Sequence, residues 1–106
     1  MYIYNVTTNV NDEIKFDWLF WMKQTFIPAM LASGKFKKAI ISQVLVEEDM
    51  GGITYSTQYI AENKTFADHF IQNELEAVLT EHSKFKGSCV DFSTGLQVIS
   101  QIDGEV

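Results

Sequence analysis

The residues of this chain that could do chemistry are an acidic run, two histidines and one cysteine. The run Glu47–Asp49 is consecutive and lacks the alternating oxygen ligands that a Ca²⁺ loop needs. His69 and His82 lie thirteen positions apart on a predicted helix, and neither has the partner four residues away that would complete a ligand pair. Cys89 needs a neighbouring base to become a nucleophile, and the sequence does not place either histidine beside it. These spacings predict no metal site and no bound cofactor.

Asp91 is the acid with the most interesting position, because it is the single formal charge in the middle of a predicted polar strand face. A carboxylate that a second layer shields from water becomes a stronger base, so Asp91 could act as a general base. Tyr55, or Tyr4 or Tyr59, could assist it with a phenol hydroxyl. The alternative is a carboxylate on an edge strand that simply reaches solvent.

Length, charge and hydropathy limit the possible classes of protein. The chain has 106 residues, of which 46% are hydrophobic, so we expect one domain over residues 1–100 and a polar tail over 101–106. The net charge is -6 and the 8 basic residues are scattered, which argues against nucleic acid and anionic membranes as partners. No signal peptide or membrane span is predicted, and a lone cysteine suits a reducing compartment, so we expect a cytoplasmic protein.

The order of hydrophobic patterns predicts the fold. Alternating patterns indicate strands, helical spacing indicates two long helices, and Gly51-Gly52 is typical of a tight hairpin. Pro28 lies inside the first helix and predicts a kink near residues 25–26. Asn63 and Thr65 are alternative N-caps for the second helix. The predicted elements are strand Tyr2–Val10, helix 13–33, strands 36–49 and 53–61, a helix to about residue 83, and strand 88–99.

This order is β-α-β-β-α-β, which predicts a ferredoxin-like α+β fold with a four-stranded antiparallel sheet in the order 4-1-3-2 and both helices on one face. The other sheet face should be polar but nearly uncharged, which is unusual for a face open to water. It could be a cleft for a small molecule under a second layer, or a solvated face of strand-forming polar residues. The predicted cleft residues are Asn5, Thr7, Ser56, Gln58, Asp91 and Ser93.

Two features of the sequence predict a homodimer. The first helix has more apolar residues than one sheet can bury, which leaves Phe16 and Phe20 as a candidate association surface, unless the kinked helix buries them. The second strand, with Ile41 near its centre, should lie at a sheet edge that invites pairing. An antiparallel pairing of two copies would bring Lys37 opposite Glu48 and Lys38 opposite Glu47.

Several segments together resemble a bacterial family of unknown function, DUF4286. The resemblance implies a relation to the dimeric α/β barrels, in which two ferredoxin-like sheets face each other and which include small monooxygenases, lactone isomerases and haem-handling proteins. This chain has Phe26 and Ser93 where the family leads us to expect histidine and arginine, so chemistry based on those groups is not expected. The segments are Met1-Tyr2-Ile3-Tyr4-Asn5-Val6, Trp18-Leu19-x-Trp21-Met22-Lys23, Ile27-Pro28, Gly34-Lys35-Phe36, Leu45-Val46-Glu47-Glu48, Gly51-Gly52-Ile53-Thr54-Tyr55-Ser56, Lys84-Phe85 and Val90-x-Phe92.

Three functional hypotheses follow, and the sequence leaves open whether the protein is an enzyme. The first is a cytoplasmic homodimer that binds a small molecule in a polar cleft on the sheet face. The second is a cofactor-free enzyme of monooxygenase or isomerase type that uses Asp91 and a tyrosine on an aromatic or lactone substrate. The third is a purely structural interaction protein. An enclosed cavity around Asp91 would favour the second hypothesis.

Overall fold

The computed structural model describes residues 1–46, 51–85, 87 and 89–105. The acidic run Glu47–Asp49 therefore lies outside the described residues. The elements are β1 Tyr2–Val10, α1 Lys15–Trp21, a π-helical turn Met22–Phe26 (the π segment), α2 Ile27–Leu31, β2 Lys38–Gln43, β3 Ile53–Ala61, α3 Lys64–Asn73, α4 Leu75–Glu81 and β4 Cys89–Gln97.

The four strands form one antiparallel sheet in the order β2-β3-β1-β4. The helices pack on one face of it, so the predicted ferredoxin-like α+β fold is confirmed, with β2 at a sheet edge. We call the face that carries the helices the inner face and the opposite one the outer face. In the described part of the chain no helix is long and apolar enough to cross a membrane.

The long first helix is interrupted where Pro28 was expected to disturb it. Proline has no N–H to donate to the carbonyl four residues earlier, and its ring clashes with that turn. The chain accommodates this with the π segment immediately before α2, so that α1, the π segment and α2 follow one another without a loop. Trp18 is buried while Phe16 and Phe20 are exposed, as the apolar excess of this helix predicted.

The core lies between the sheet and the helices in two clusters. Tyr59 and Phe70 are the largest fully buried side chains of the first cluster, and Trp18 and Tyr55 are the largest residues of the second. Asn63 is the N-cap of α3, since its side-chain oxygen accepts a hydrogen bond from the Phe66 N–H at 2.9 Å. The second predicted helix is in fact two helices, α3 and α4, which meet at residue 74.

The second strand is shorter than predicted, because β2 covers only Lys38–Gln43 of the expected 36–49. Ile41 and Gln43 face inward, since they lie opposite Thr57 and Tyr55 on β3. Gly51 and Gly52 have the positive φ angles that the turn into β3 needs. At Gly52 a side chain is excluded as well, because a Cβ would lie 2.8 Å from the Val10 carbonyl oxygen.

The last strand has the opposite orientation to the one predicted from its alternation. Asp91 pairs with Thr8 and Ser93 pairs with Val6, and directly opposed residues of an antiparallel pair point to the same face. The polar side of β4, including Cys89, therefore faces the helix layer. Its apolar side, with Val90, Phe92 and Leu96, lies on the outer face and is exposed.

Candidate functional site

A cavity of about 460 Å³ lies between the inner face of the sheet and the helices. We call it the interlayer cavity. β1 and β3 form its floor, and α1, the π segment and α2 form one wall. The other wall is formed by α4, by residues 82–85 and 87, and by the start of β4. The floor residues Thr8, Thr57 and Tyr59 are buried, whereas Leu79 and Asp91 on the other wall are exposed. The cavity therefore opens to solvent between α4 and β4.

The helix side of the interlayer cavity is aromatic. Trp21 lies with its ring centroid 5.1 Å from that of Phe26 and 5.3 Å from that of Phe85, the latter edge to face. Trp18 lines the cavity and packs against Tyr55 at 5.0 Å. These rings offer a large apolar contact surface with geometric preferences for planar groups.

The polar end of the interlayer cavity is formed where β1 and β4 lie side by side. Asp91 and Cys89 line it from β4, and Tyr4 lines it from β1 with its phenol hydrogen-bonded to the Ser93 side chain. Burial raises the pKa of the Tyr4 phenol; the hydrogen bond from Ser93 opposes the rise and the charge of Asp91 adds to it. Burial, with Asp91 adding to it, also raises the pKa of the Cys89 thiol. At neutral pH both groups therefore keep their protons, and Cys89 is not an activated nucleophile.

Of the three tyrosines predicted as possible partners of Asp91, Tyr4 and Tyr59 line the interlayer cavity with it and Tyr55 does not. Asp91 lines the interlayer cavity, but Tyr55 belongs to the second core cluster under Trp18. Tyr59 replaces it on the cavity floor, where it is almost fully buried. Burial raises the pKa of Tyr59 far above that of free tyrosine, so its phenol stays neutral and can only donate or accept hydrogen bonds near pH 7.

The six residues of the predicted polar cleft lie on two different faces. Asn5, Thr7, Ser56 and Gln58 share the outer face, whereas Asp91 and Ser93 lie on the inner face. The prediction of one cleft was wrong because the polar side of β4 was assigned to the wrong face. The outer-face groups hydrogen-bond one another: the Ser56 hydroxyl donates to the Asn5 carboxamide oxygen at 2.7 Å, and the Asn5 amide donates to the Thr7 hydroxyl at 3.2 Å.

Sequence reasoning missed the contribution of the helix layer to this site. His82, for which the sequence indicated no ligand partner, is the C-cap of α4 and lines the interlayer cavity. Phe26 and Met30 line it from the opposite wall. The spacing of Phe26 and Met30 along the helix was visible in the sequence, but this spacing does not distinguish a fully packed core from one that contains a cavity. Among the described residues no group of three acids, histidines or cysteines could hold a metal ion.

The fold and the cavity define a class of protein, the small ferredoxin-like α+β proteins. A dimeric ferredoxin-like protein from an uncultured marine organism superposes with a TM-score of 0.59 at 12% identity, over 95% of this chain and 97% of its own. A protein from Deinococcus radiodurans proposed to be an antibiotic biosynthesis monooxygenase gives 0.64 at 13%, over all of both chains. An ethyl tert-butyl ether D (EthD) family protein from Bacillus halodurans gives 0.61 at 14%, over 93% of this chain and 100% of its own.

Within this class the chain belongs to the family DUF4286, a domain of unknown function, whose model matches residues 1–99. The resemblance noted from the sequence segments is thereby confirmed. No curated protein sequence matches the chain. At 12–14% identity the solved structures show the fold alone.

Proposed function

We propose that this protein binds a small, largely apolar molecule in the interlayer cavity. The observation that carries the proposal is the cavity itself, about 460 Å³ in volume, aromatic on the helix side and polar at the end where Tyr4 and Asp91 meet. Ligand sites are typically concave, mostly apolar and about 300–1,000 Å³ in size, with a few polar groups that orient the ligand. The ligand's apolar body would lie against Trp18 and Trp21, with its polar end towards Asp91.

A neutral fluorescent probe, N-phenyl-1-naphthylamine, tests this proposal. We expect saturable binding of one probe per chain and an increase in its fluorescence. Leu79→Trp should weaken binding, because Leu79 lines the open side of the cavity and a larger ring there narrows the entrance. Leu45→Trp is the matched control, since Leu45 is exposed and lies outside the cavity lining. Equal affinities for the two variants would contradict the proposal.

A second candidate function is proton transfer by Asp91, which the sequence suggested and the position of Asp91 at the cavity supports. A base at the polar end of an apolar cavity can remove a proton from a bound C–H acid. The protein proposed to be a monooxygenase shares the fold, which makes such chemistry worth testing. Deuterium uptake from D₂O into 2-tetralone should be faster with the wild-type protein than with Asp91→Asn, and equal rates would exclude this role.

We also infer a homodimer that buries the outer face. Val90 and Phe92 are 75% and 63% exposed there, and Leu96 lies on the same face. Part of the polar centre of the face is already internally hydrogen-bonded, since the Ser56 hydroxyl donates to the Asn5 side chain, which lowers the cost of covering it. A related structure of the same fold is described as dimeric.

The alternative is the strand-edge dimer that the sequence suggested. Charge-reversal variants distinguish it from the dimer that buries the outer face. Ile41 is partly buried on the inner face, which removes one of the expected contacts of that dimer, and Glu47 and Glu48 lie outside the described residues. Light scattering should show a dimer of the 12.1 kDa chain that Phe92→Lys dissociates and Phe20→Lys does not. Dissociation by Lys37→Glu with Lys38→Glu, rescued by reversing Glu47 and Glu48 to lysine, would support the strand-edge dimer instead.

A further inference from the structure

Carboxylates supply the formal charges in the described lining of the interlayer cavity, which also includes the His82 imidazole. Asp91 and Glu76 both line it, and its described lining contains neither lysine nor arginine. The chain as a whole carries a net charge of -6. A ligand carboxylate or phosphate at the polar end would meet the like charge of Asp91, which opposes its binding. A ligand with a positive group would meet the Asp91 carboxylate, which forms no ion pair with the residues that the structure describes.

The aromatic side of the interlayer cavity adds a second attraction for a positive group. The faces of tryptophan rings attract a cation within about 6 Å of the ring centre more strongly than those of other aromatic residues. Trp18 and Trp21 both line the cavity, and the Trp21 ring contacts the Phe85 ring edge to face. One ring of this group already has a cation beside it, since the Lys84 ammonium lies 5.5 Å from the Phe85 ring centroid.

We propose that the interlayer cavity selects organic cations, namely small molecules with an apolar or aromatic body and a protonated amine that pairs with Asp91. This inference rests on the proposed function, because it assigns a charge class to the ligand of the same cavity. The volume of the cavity, about 460 Å³, leaves room for a body of two fused rings. Its floor at Thr57 and Tyr59 is buried, whereas Asp91 is exposed. The amine would therefore face the opening and the rings the floor.

Three ligands with the same ring system and different charges test the proposal by isothermal titration calorimetry. Tryptamine carries an ammonium group, tryptophol a neutral hydroxyl and indole-3-propionate a carboxylate. We expect tryptamine to bind at least about tenfold more tightly than tryptophol, which corresponds to a charge-pair and cation–π contribution of ordinary size. Indole-3-propionate should bind most weakly. Raising the salt concentration should narrow these differences, because Asp91 is solvent-exposed.

Two substitutions test whether Asp91 and Glu76 cause the preference for the positively charged ligand. Asp91→Asn should remove most of the preference for tryptamine, and Glu76→Gln should reduce it by a smaller factor. Asp103→Asn makes the same change of net charge in the exposed tail, away from the cavity, and should leave the preference intact. Equal affinities for tryptamine and tryptophol, or a preference that survives Asp91→Asn, would overturn the inference. In either case binding of the neutral naphthylamine probe would still support the proposed function, and loss of that binding would refute both.

Discussion

Replacement of Trp18 by alanine is the sharpest test of how the first helix is oriented. Trp18 is 3% exposed and packs on Tyr55 at 5.0 Å, whereas Phe20, two residues further on, is 67% exposed. Truncating a large aromatic residue in a core costs about 3–5 kcal/mol. We expect the lower end, about 3 kcal/mol, because part of the Trp18 ring borders the interlayer cavity and has fewer contacts to lose. Phe20→Ala should change the free energy of unfolding by no more than about 0.5 kcal/mol.

Urea denaturation followed by circular dichroism measures both variants. With a slope of about 1.5 kcal/mol per molar urea for a chain of this size, Trp18→Ala should lower the midpoint by about 2 M and Phe20→Ala by about 0.3 M. Measurements at two protein concentrations separate loss of fold stability from loss of self-association. Equal midpoints, or a larger shift for Phe20→Ala, would show that the helix is rotated differently from the packing described above.

Two further predictions concern the sheet. Gly95→Ala should destabilise the protein by about 1–3 kcal/mol, because a Cβ there overlaps the Tyr2 hydroxyl and the ring must move. Gly104→Ala is the control, since a Cβ at that position has no atom within 4 Å. Equal urea midpoints for the two variants would contradict the contact between Gly95 and Tyr2. Because the folded-state pKa of Tyr59 is raised above the value of 10.0 for free tyrosine, its contribution to stability is complete below pH 10 and is lost as the pH rises towards the folded-state pKa. Stability should therefore fall with pH above 10, and Tyr59→Phe should flatten that fall.

The sequence patterns predicted the bounds of those strands in which one face is buried and the other is polar. The bounds of β1 and β3 agree with the prediction, because alternation and the glycine turn mark both ends. On β4 the alternation was detected and its direction was wrong. The rule that apolar residues face the core fails when a strand has an apolar outer surface and borders the polar end of a cavity on its inner side, as Phe92 and Asp91 show. Alternation alone cannot distinguish a core from an interface, since both bury apolar side chains.

The π segment explains how the helical region from Trp18 to Met30 can line the cavity over about three turns. Trp18, Met22, Phe26 and Met30 are spaced by four residues, and all of them line the interlayer cavity. In a regular α-helix each step of four residues overshoots a full turn by about 40°, so the last of the four would be rotated by about 120° from the first. A π turn contains more residues than an α turn, so each residue rotates the chain by a smaller angle. Four residues of π-helix therefore rotate the chain by less than a full turn, which offsets the excess rotation of the α-helical steps. Pro28, whose missing N–H favours the wider turn, thus keeps the four side chains on one face.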